Sequence, residues 1–374
     1  MSERTRFVGL DVHAATIAVA VADEDGSVTE QGTIANDPAA VRKLIGGLAA
    51  PDTRLKAAYE AGPTGYALHR RLTRSGITCV VVAPSLIPRR PGDRVKTDAR
   101  DAVTLARLLR SGDLTAVWVP DEAHEALRNL VRARADAKTD ETRARHRLSK
   151  FLLRQGLRPP AGVRAWTVKY ETWLHHLEWI QPADQVVFDD YQATVRAATE
   201  RVRRLETALM QQATSSPQVR FIAALQALHG IGFLSAVTIV AEVGDLRRFA
   251  TARQLMAYAG LVPSEHSSGA SRHRGQITKT GNGHLRHVLG EAAHHARHVP
   301  SPRTAAKQRH DGVPEPLVTL ARRSHERLHQ RYRHLAGRIG RPKALTAVAR
   351  ELAGFIWALE QLLDDVTVQE VASA

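Results

Sequence analysis

The first third of the chain alternates short apolar runs with mixed stretches that repeat every three or four residues. Phe7 to Asp11 is apolar and closed by an acid, Thr16 to Ala22 (TIAVAVA) reads as a second strand, and Asp25-Gly26 marks a hairpin turn into a third, Ser27 to Gly32. Asp37-Pro38 opens a helix, because Asp caps the free N–H groups and Pro suits the first turn. Leu55 to Glu60 predicts a fourth strand, and Tyr66 to Arg74 a helix stopped by Gly76. Ile77 to Val82, uniformly apolar or small, predicts a buried fifth strand. Thr97 then caps a helix that runs to Arg110 and ends at Gly112.

A three-strand meander followed by helix, strand, helix, strand, helix is the order of the α/β RNase H-like (RuvC-like) fold. From Glu122 to Gln155 the pattern changes to a long basic helix, Arg128 through Arg154. A break at Pro159-Pro160 and Gly162 leads to an aromatic patch with Trp166, Trp173 and Trp179, residues that either stack on bases or anchor a core. Phe188, Tyr191, Val195, Ala198, Val202, Leu205 and Leu209 then step by three and four, the seam of a coiled coil, so this region is expected to form a helical coiled-coil arm. A further shift near Phe221 leads to LHGIGFLSAVTIVAEVG, where Gly230 and Gly232 form the turn of a helix-hairpin-helix-like element. Such a turn offers backbone N–H groups to a phosphate, or serves only to pack two helices. The remainder, from Gly281, is mostly helical and basic with a loop near Pro300 to Pro316. The expected division is 1–118, 119–218 and a mainly α region over 219–374.

Composition narrows the function classes. Hydrophobic residues make up 43% of the 374, enough for packed cores. Lys and Arg number 53 against 38 Asp and Glu, a formal charge of +15 that points to a polyanionic partner. No apolar stretch approaches the ~18 residues of a membrane span, and Met1 to Arg6 shows no signal-peptide core. Cys79 stands alone, which excludes an intrachain disulfide and a cysteine-built zinc site. The expectation is a cytoplasmic, nucleoid-associated protein that faces nucleic acid and no membrane.

Four carboxylates carry the first candidate chemistry. Asp11 ends strand one and Glu60 strand four, while Asp98 and Asp101 share one face of the following helix. In an RNase H-like sheet strands one and four are neighbours, so these acids are expected to converge and to need cations, with all-oxygen ligands suited to Mg2+ or Mn2+. The second candidate is a loop, Gly260 to Gly269, ending in Ser-Ser-Gly and followed by the basic tract SRHRGQITK, Ser271 to Lys279. A serine there needs a base and neutralising cations to act as a nucleophile; on spacing alone the Ser-Ser-Gly stretch reads first as a polar turn, and spacing does not make Ser268 catalytic. Arg272, Arg274, Lys279 and Arg286 are candidate nucleic-acid contacts beside Gly230 and Gly232. His287, Glu291 and His295 share one helical face, but they match no metallopeptidase order and are expected to pack or to meet phosphate.

Several segments together, GLDVHAATIAVAV, YEAGPTGY, VVVAPSLIPRRPGDRVKTDARDA, LHGIGFLSAVTIVAEVGD, YAGLVPSEHSSG and ITKTGNGHLRHVL, resemble the DEDD transposases of IS110-type insertion sequences. Piv-type DNA invertases and bridge-RNA-guided recombinases are relatives of that group. The resemblance runs in order across nearly the whole chain. It implies that Asp11, Glu60, Asp98 and Asp101 are the metal-binding DEDD acids, and that a catalytic serine lies in the Ser-Ser-Gly stretch, at Ser268 with Ser267 as the alternative. It also implies a covalent serine–DNA intermediate, dimers or tetramers in which the two catalytic regions meet across protomers, and a structured noncoding RNA that pairs with DNA.

Three readings follow. The first is a transposase or recombinase that cuts and rejoins DNA through the serine with Mg2+ at the acids. The second is a metal-dependent nuclease or junction resolvase with water as nucleophile, which has no use for the Ser-Ser-Gly stretch. The third is a non-catalytic nucleic-acid-binding protein, which leaves the four acids unexplained.

Overall fold

In the computed structural model, which describes residues 4–88, 97–268, 271–301 and 309–373, the chain divides into two units, Met1–Pro120 and Asp121–Ala374. The first is built on a mixed five-stranded sheet of order β3-β2-β1-β4-β5. Strands β1 (Arg4–Val12), β2 (Thr16–Ala22) and β3 (Val28–Ala35) form the antiparallel meander. Strands β4 (Thr53–Glu60) and β5 (Thr78–Val82) run parallel to β1 and are reached through helices α1 (Pro38–Leu48) and α2 (Ala67–Arg74), as parallel pairing requires. Asp37 caps α1 by accepting from the Ala39 and Ala40 N–H groups. The expected elements are all present with small shifts at their ends. Gly32, expected to close β3, instead takes φ 82° beside a bulge, and the strand continues to Ala35.

The period of two along β1 sorts the sheet into unlike faces. Val8 and Leu10, with Ile17, Val19 and Val21 of β2, pack under α1 and α2. The opposite face is small: Ala18, Ala20 and Ala22 of β2 lie beside Gly9 and meet Ala102 and Ala106 of helix α3 (Asp98–Ser111). Small side chains on both partners let α3 approach the strands closely.

The second unit begins with an antiparallel pair of 33-residue helices, α4 (Glu122–Arg154) and α6 (Pro182–Thr214). Arg134 pairs with Glu206, Arg201 with Asp140 at 3.0 Å, and the Thr199 hydroxyl donates to Glu141 at 2.9 Å. Helix α5 (Val168–His175) closes the far end, where the three tryptophans join an apolar cluster with Phe151, Tyr170 and Phe188. Trp179 stacks on Phe151 with centroids 5.2 Å apart, so of the two roles open to these rings the structure shows core anchoring.

The arm is rooted on α8 (Phe233–Val243): His124 Nε2 lies 2.9 Å from the Ala241 carbonyl oxygen, to which Arg128 Nε also donates. Helices α7 (Val219–Ala227), α8, α9 (Ala252–Tyr258), α10 (Gly283–Ala293), α11 (Glu315–Ile339) and α12 (Arg341–Ser373) form the body around Leu225, Ile231, Val237, Leu289 and Ile356. One expectation is corrected here. The Gly260–Gly269 segment is not a loop through most of its length, because Pro263–Ser268 is strand β6, paired antiparallel with β7 (Ser271–Ile277). The sequence from Ser264 to Gln276 holds almost no large apolar residue, so no apolar alternation marks the strands. Gly269, residues 89–96 within the VVVAPSLIPRRPGDRVKTDARDA segment, and residues 302–308 of the Pro300–Pro316 loop lie outside the described residues.

Candidate active site

Asp11 is the penultimate residue of β1, and its alternation with Phe7 and Gly9 turns it toward the face on which α3 lies. Asp98 is the first residue of α3, which is capped by Thr97 through a 3.3 Å bond from the Arg100 N–H. Asp101 follows one turn later. The seating of Ala102 on Gly9 therefore brings the first turn of α3 to the end of β1. His13 Nε2 stands between the two elements, 3.3 Å from Asp11 Oδ2 and 3.5 Å from Asp98 Oδ2. Asp11, His13 and Asp98 each offer one ligand atom, all within 4.8 Å of one another.

The electrostatics agree with this proximity. Burial pushes the Asp11 carboxyl above the usual carboxylate range, His13 draws it back, and the charges of Asp101 and Asp98 push it up again. Glu60 ends β4, and the pairings Phe7–Lys56 and Gly9–Ala58 place it by alternation on the α3 face as well. The four acids thus share one end and one face of the sheet, while Glu60 and Asp101 stand outside the tight trio with His13. His13 was missed by the sequence reading. The Asp-x-His spacing, which places two residues on one side of an extended chain, was the available signal.

The other predicted residues lie in the second unit. Ser268 is the last residue of β6, exposed and paired with Ser271 across the hairpin. Arg272 pairs in register with Ser267, and Arg274 with Glu265. Lys279 follows the ribbon with φ 55°, and its N–H donates to the Gly260 carbonyl oxygen at 3.2 Å. Arg286 donates from Nη1 to the Ala259 carbonyl oxygen at 3.0 Å. Gly230, with φ 90°, faces α10 so closely that a β-carbon would stand 2.6 Å from the Ala292 carbonyl oxygen. Gly232 begins α8 with open space where a side chain would be. His295, one member of the predicted His287–Glu291–His295 face, packs edge-on against His229 at 5.7 Å, and His229 stacks on His325 at 3.8 Å.

A buried network ties these elements to the arm. Glu242 is fully buried and accepts two 2.9 Å bonds from Arg132 and one of 2.7 Å from Asn282, the cap of α10. Burial pushes its carboxyl up, but the Arg132 and Asn282 hydrogen bonds and the nearby Arg128 charge outweigh that and hold it below the usual range.

An acidic end of a mixed α/β sheet and a basic helical unit define a class, that of proteins acting on nucleic-acid phosphates, and comparison with known proteins gives the family. A DEDD transposase model of the IS110 type, described as Transposase, matches residues 8–155, and one described as Transposase IS116/IS110/IS902 family matches residues 222–309. A Sinorhizobium fredii protein named as a transposase, y4qE, is 43% identical over 359 residues, covering 95% of this chain and 88% of its own. The transposase for insertion sequence element IS1533 of Leptospira borgpetersenii is 31% identical over 336 residues, covering 89% and 97%. The pilin gene-inverting protein of Moraxella lacunata is 26% identical over 201 residues, covering 53% and 52%. The chain belongs to the IS110 family of transposases, enzymes that cleave DNA and transfer strands. No helix among the described residues is long and apolar enough to cross a membrane.

Proposed function

We propose that this transposase cuts and rejoins DNA through a covalent serine–DNA intermediate formed by Ser268, assisted by a divalent-cation site at Asp11, Glu60, Asp98 and Asp101. The observation that carries the reading is the convergence of Asp11 and Asp98, from two separate elements, on one end of a β3-β2-β1-β4-β5 sheet. That strand order is the one expected of an RNase H-like domain over 1–118, with a coiled-coil connector over 119–218 and a serine-bearing domain over 219–374.

The donor set fits a hard divalent ion. Burial first, and the nearby Asp101 and Asp98 charges after it, raise the proton affinity of Asp11, a penalty on the ionised form that a cation would relieve. Mg2+, or Mn2+, held there would supply positive charge against the acids and the attacked phosphate. The chain's own residues do the rest. The Ser268 oxygen attacks phosphorus, a serine–phosphate bond forms, and the bond from phosphorus to one strand end breaks. The serine proton ends on the departing oxygen, which becomes a free hydroxyl. Attack by another strand's hydroxyl reverses the balance, releases Ser268 and joins new partners. Arg272, Arg274, Lys279 and Arg286 would hold phosphates near the hairpin, with the Gly230–Gly232 turn beside them.

The reading includes DNA as substrate, assembly as a dimer or tetramer in which hairpin and acids meet between protomers, and guidance by an element-encoded noncoding RNA. These three rest on family resemblance. The test is a trapping assay with Mg2+, labelled element-end DNA and RNA transcribed from the element's flanks. An adduct surviving denaturation with the wild type and absent from Ser268→Ala is the expected result. Metal-dependent cleavage without an adduct, lost in Asp98→Asn, would replace it with a water-using nuclease.

A further inference from the structure

Beside α10 the body carries a groove of about 520 Å³, of whose lining only Arg286 has been given a role. Its walls include Arg286 and His287 of α10, Arg297 in the turn after α10, Tyr332 of α11 and Arg341 at the start of α12. His294 joins His287 on one face of the α10 extension, seven residues on, and Glu291 is the acid of the lining. Leu261, two residues before β6, and Ile277, the last residue of β7, also line the groove. Three guanidinium groups from three elements thus face a trough that begins where the hairpin leaves the body.

Arg341 is placed against its local electrostatics. It is the first residue of a 33-residue helix whose first turn holds no acid and whose third residue is Lys343. The N-terminal end of a helix already carries a partial positive charge, so acids are the favoured occupants and cations are disfavoured. Arg341 has no ion pair with any described residue that would offset this. A local choice that opposes the fold's preference, made where a groove opens, marks a site built for an external anion. The arginines also keep their charge available: Arg286 and Arg297 spend single donors on the backbone oxygens of Ala259 and His294. Tyr332 is half-buried, packed against the core cluster and lining the trough.

We infer that this groove binds a single nucleic-acid strand, with Arg286, Arg297 and Arg341 on successive phosphates and Tyr332 against a base. Cations gathered with one aromatic in the same groove suit an unpaired strand, whose bases are free to stack, better than a duplex. The groove leads the strand to or from the Ser268 hairpin. The inference rests on the proposed function in one respect, that the protein acts on nucleic acid.

The test uses the full-length chain and three fluorescein-labelled probes: an oligodeoxythymidine strand, an oligouridine strand and a random-sequence duplex. Binding is followed by anisotropy across a series of salt concentrations. Arg297→Ala and Arg341→Ala should each weaken single-strand binding about tenfold and lower the slope of log affinity against log salt by about 0.7, the share of one phosphate contact on a single strand. Tyr332→Leu should cost a similar factor with the slope unchanged, because stacking releases no counterion. Thermal melts matching the wild type establish that these surface changes leave the fold intact. Equal losses on both single-stranded probes assign the groove to either kind of strand, and a loss confined to one names its source. Wild-type slopes in both arginine variants, or losses on the duplex alone, overturn the inference while leaving the proposed function standing. A wild-type protein that binds none of the probes sinks both.

Discussion

Gly9 lies so close under Ala102 that a β-carbon at position 9 would stand 2.0 Å from the Ala102 carbonyl oxygen and 2.5 Å from the Ala106 nitrogen. Those atoms belong to helix backbone, which cannot swing aside as a side chain can. Gly9→Ala should therefore lift α3 from the sheet, at a cost toward the upper end of the about 1 to 3 kcal/mol typical of overpacking. Because Asp98 and Asp101 ride on the lifted turn, metal-dependent cleavage should fall further than stability does. Urea titration and a cleavage assay on the same variant check the two effects; a stable variant with normal cleavage would show that α3 is not positioned by this contact.

Asp11 gives a prediction about pH and metal. Its folded-state carboxyl is raised above the unfolded value, so the stability it contributes is present below the unfolded value and is lost as pH rises through the folded one. At neutral pH without divalent ions the ionised side chain is therefore a liability. Asp11→Asn should raise the melting temperature in chelator, and Mg2+ should stabilise the wild type but not the variant. Differential scanning fluorimetry with and without Mg2+ measures this, and a variant less stable than wild type in chelator would contradict it.

The imidazole stack in the body sets a second pH dependence with the opposite sense. Burial pushes His229 down to about 4, helped by His325 and His295, and both of those neighbours are also lowered, chiefly by burial. The unfolded chain takes up these protons near the ordinary histidine value and the folded one does not, so stability should decline as pH falls from about 6.5 toward 4. His229→Phe, which keeps a flat ring on His325, should flatten that decline. Melting temperatures at several pH values in this range are the measurement, with a wild-type slope in the variant as the adverse outcome.

Glu242 offers a test of how the arm is rooted. Glu242→Ala would leave Arg132 and Arg128 beside a void with their buried partner gone, a loss of about 3 to 5 kcal/mol for broken buried pairs. Replacing Glu242 and Arg128 together by methionine should recover much of it, because the penalty comes from the buried Arg128 charge while Arg132 reaches solvent. Chemical denaturation of the single and double variants reads both values.

The N-terminal unit was legible in the sequence because each element there carries its own local instruction. Asp37-Pro38, Thr97 and Gly112 state where helices begin and end, and TIAVAVA states its buried strand. Asp11 and Asp98 could be placed together because they terminate such elements. The β6–β7 ribbon was hidden because main-chain pairing holds it and its sequence is polar at nearly every position, so hydrophobic periodicity is silent. His13 was hidden for another reason: it lies just past β1, and only the position of α3 brings Asp98 to it. The α10–α12 groove draws on residues from 261 to 349, and no local pattern announces a surface gathered from such separated segments.

Three of the five tryptophans, Trp166, Trp173 and Trp179, are gathered at the closed end of the α4–α6 pair, about 50 Å from its root at a rise of ~1.5 Å per residue. The arm therefore carries most of the molecule's tryptophan at one known place. Arg145 lies 5.1 Å from the Trp166 ring and Phe151 stacks on Trp179, so any partner that grips or splays this end would shift the emission colour with no dye attached. Intrinsic fluorescence becomes a gauge of what the arm touches, read against the constant background of Trp118 and Trp357.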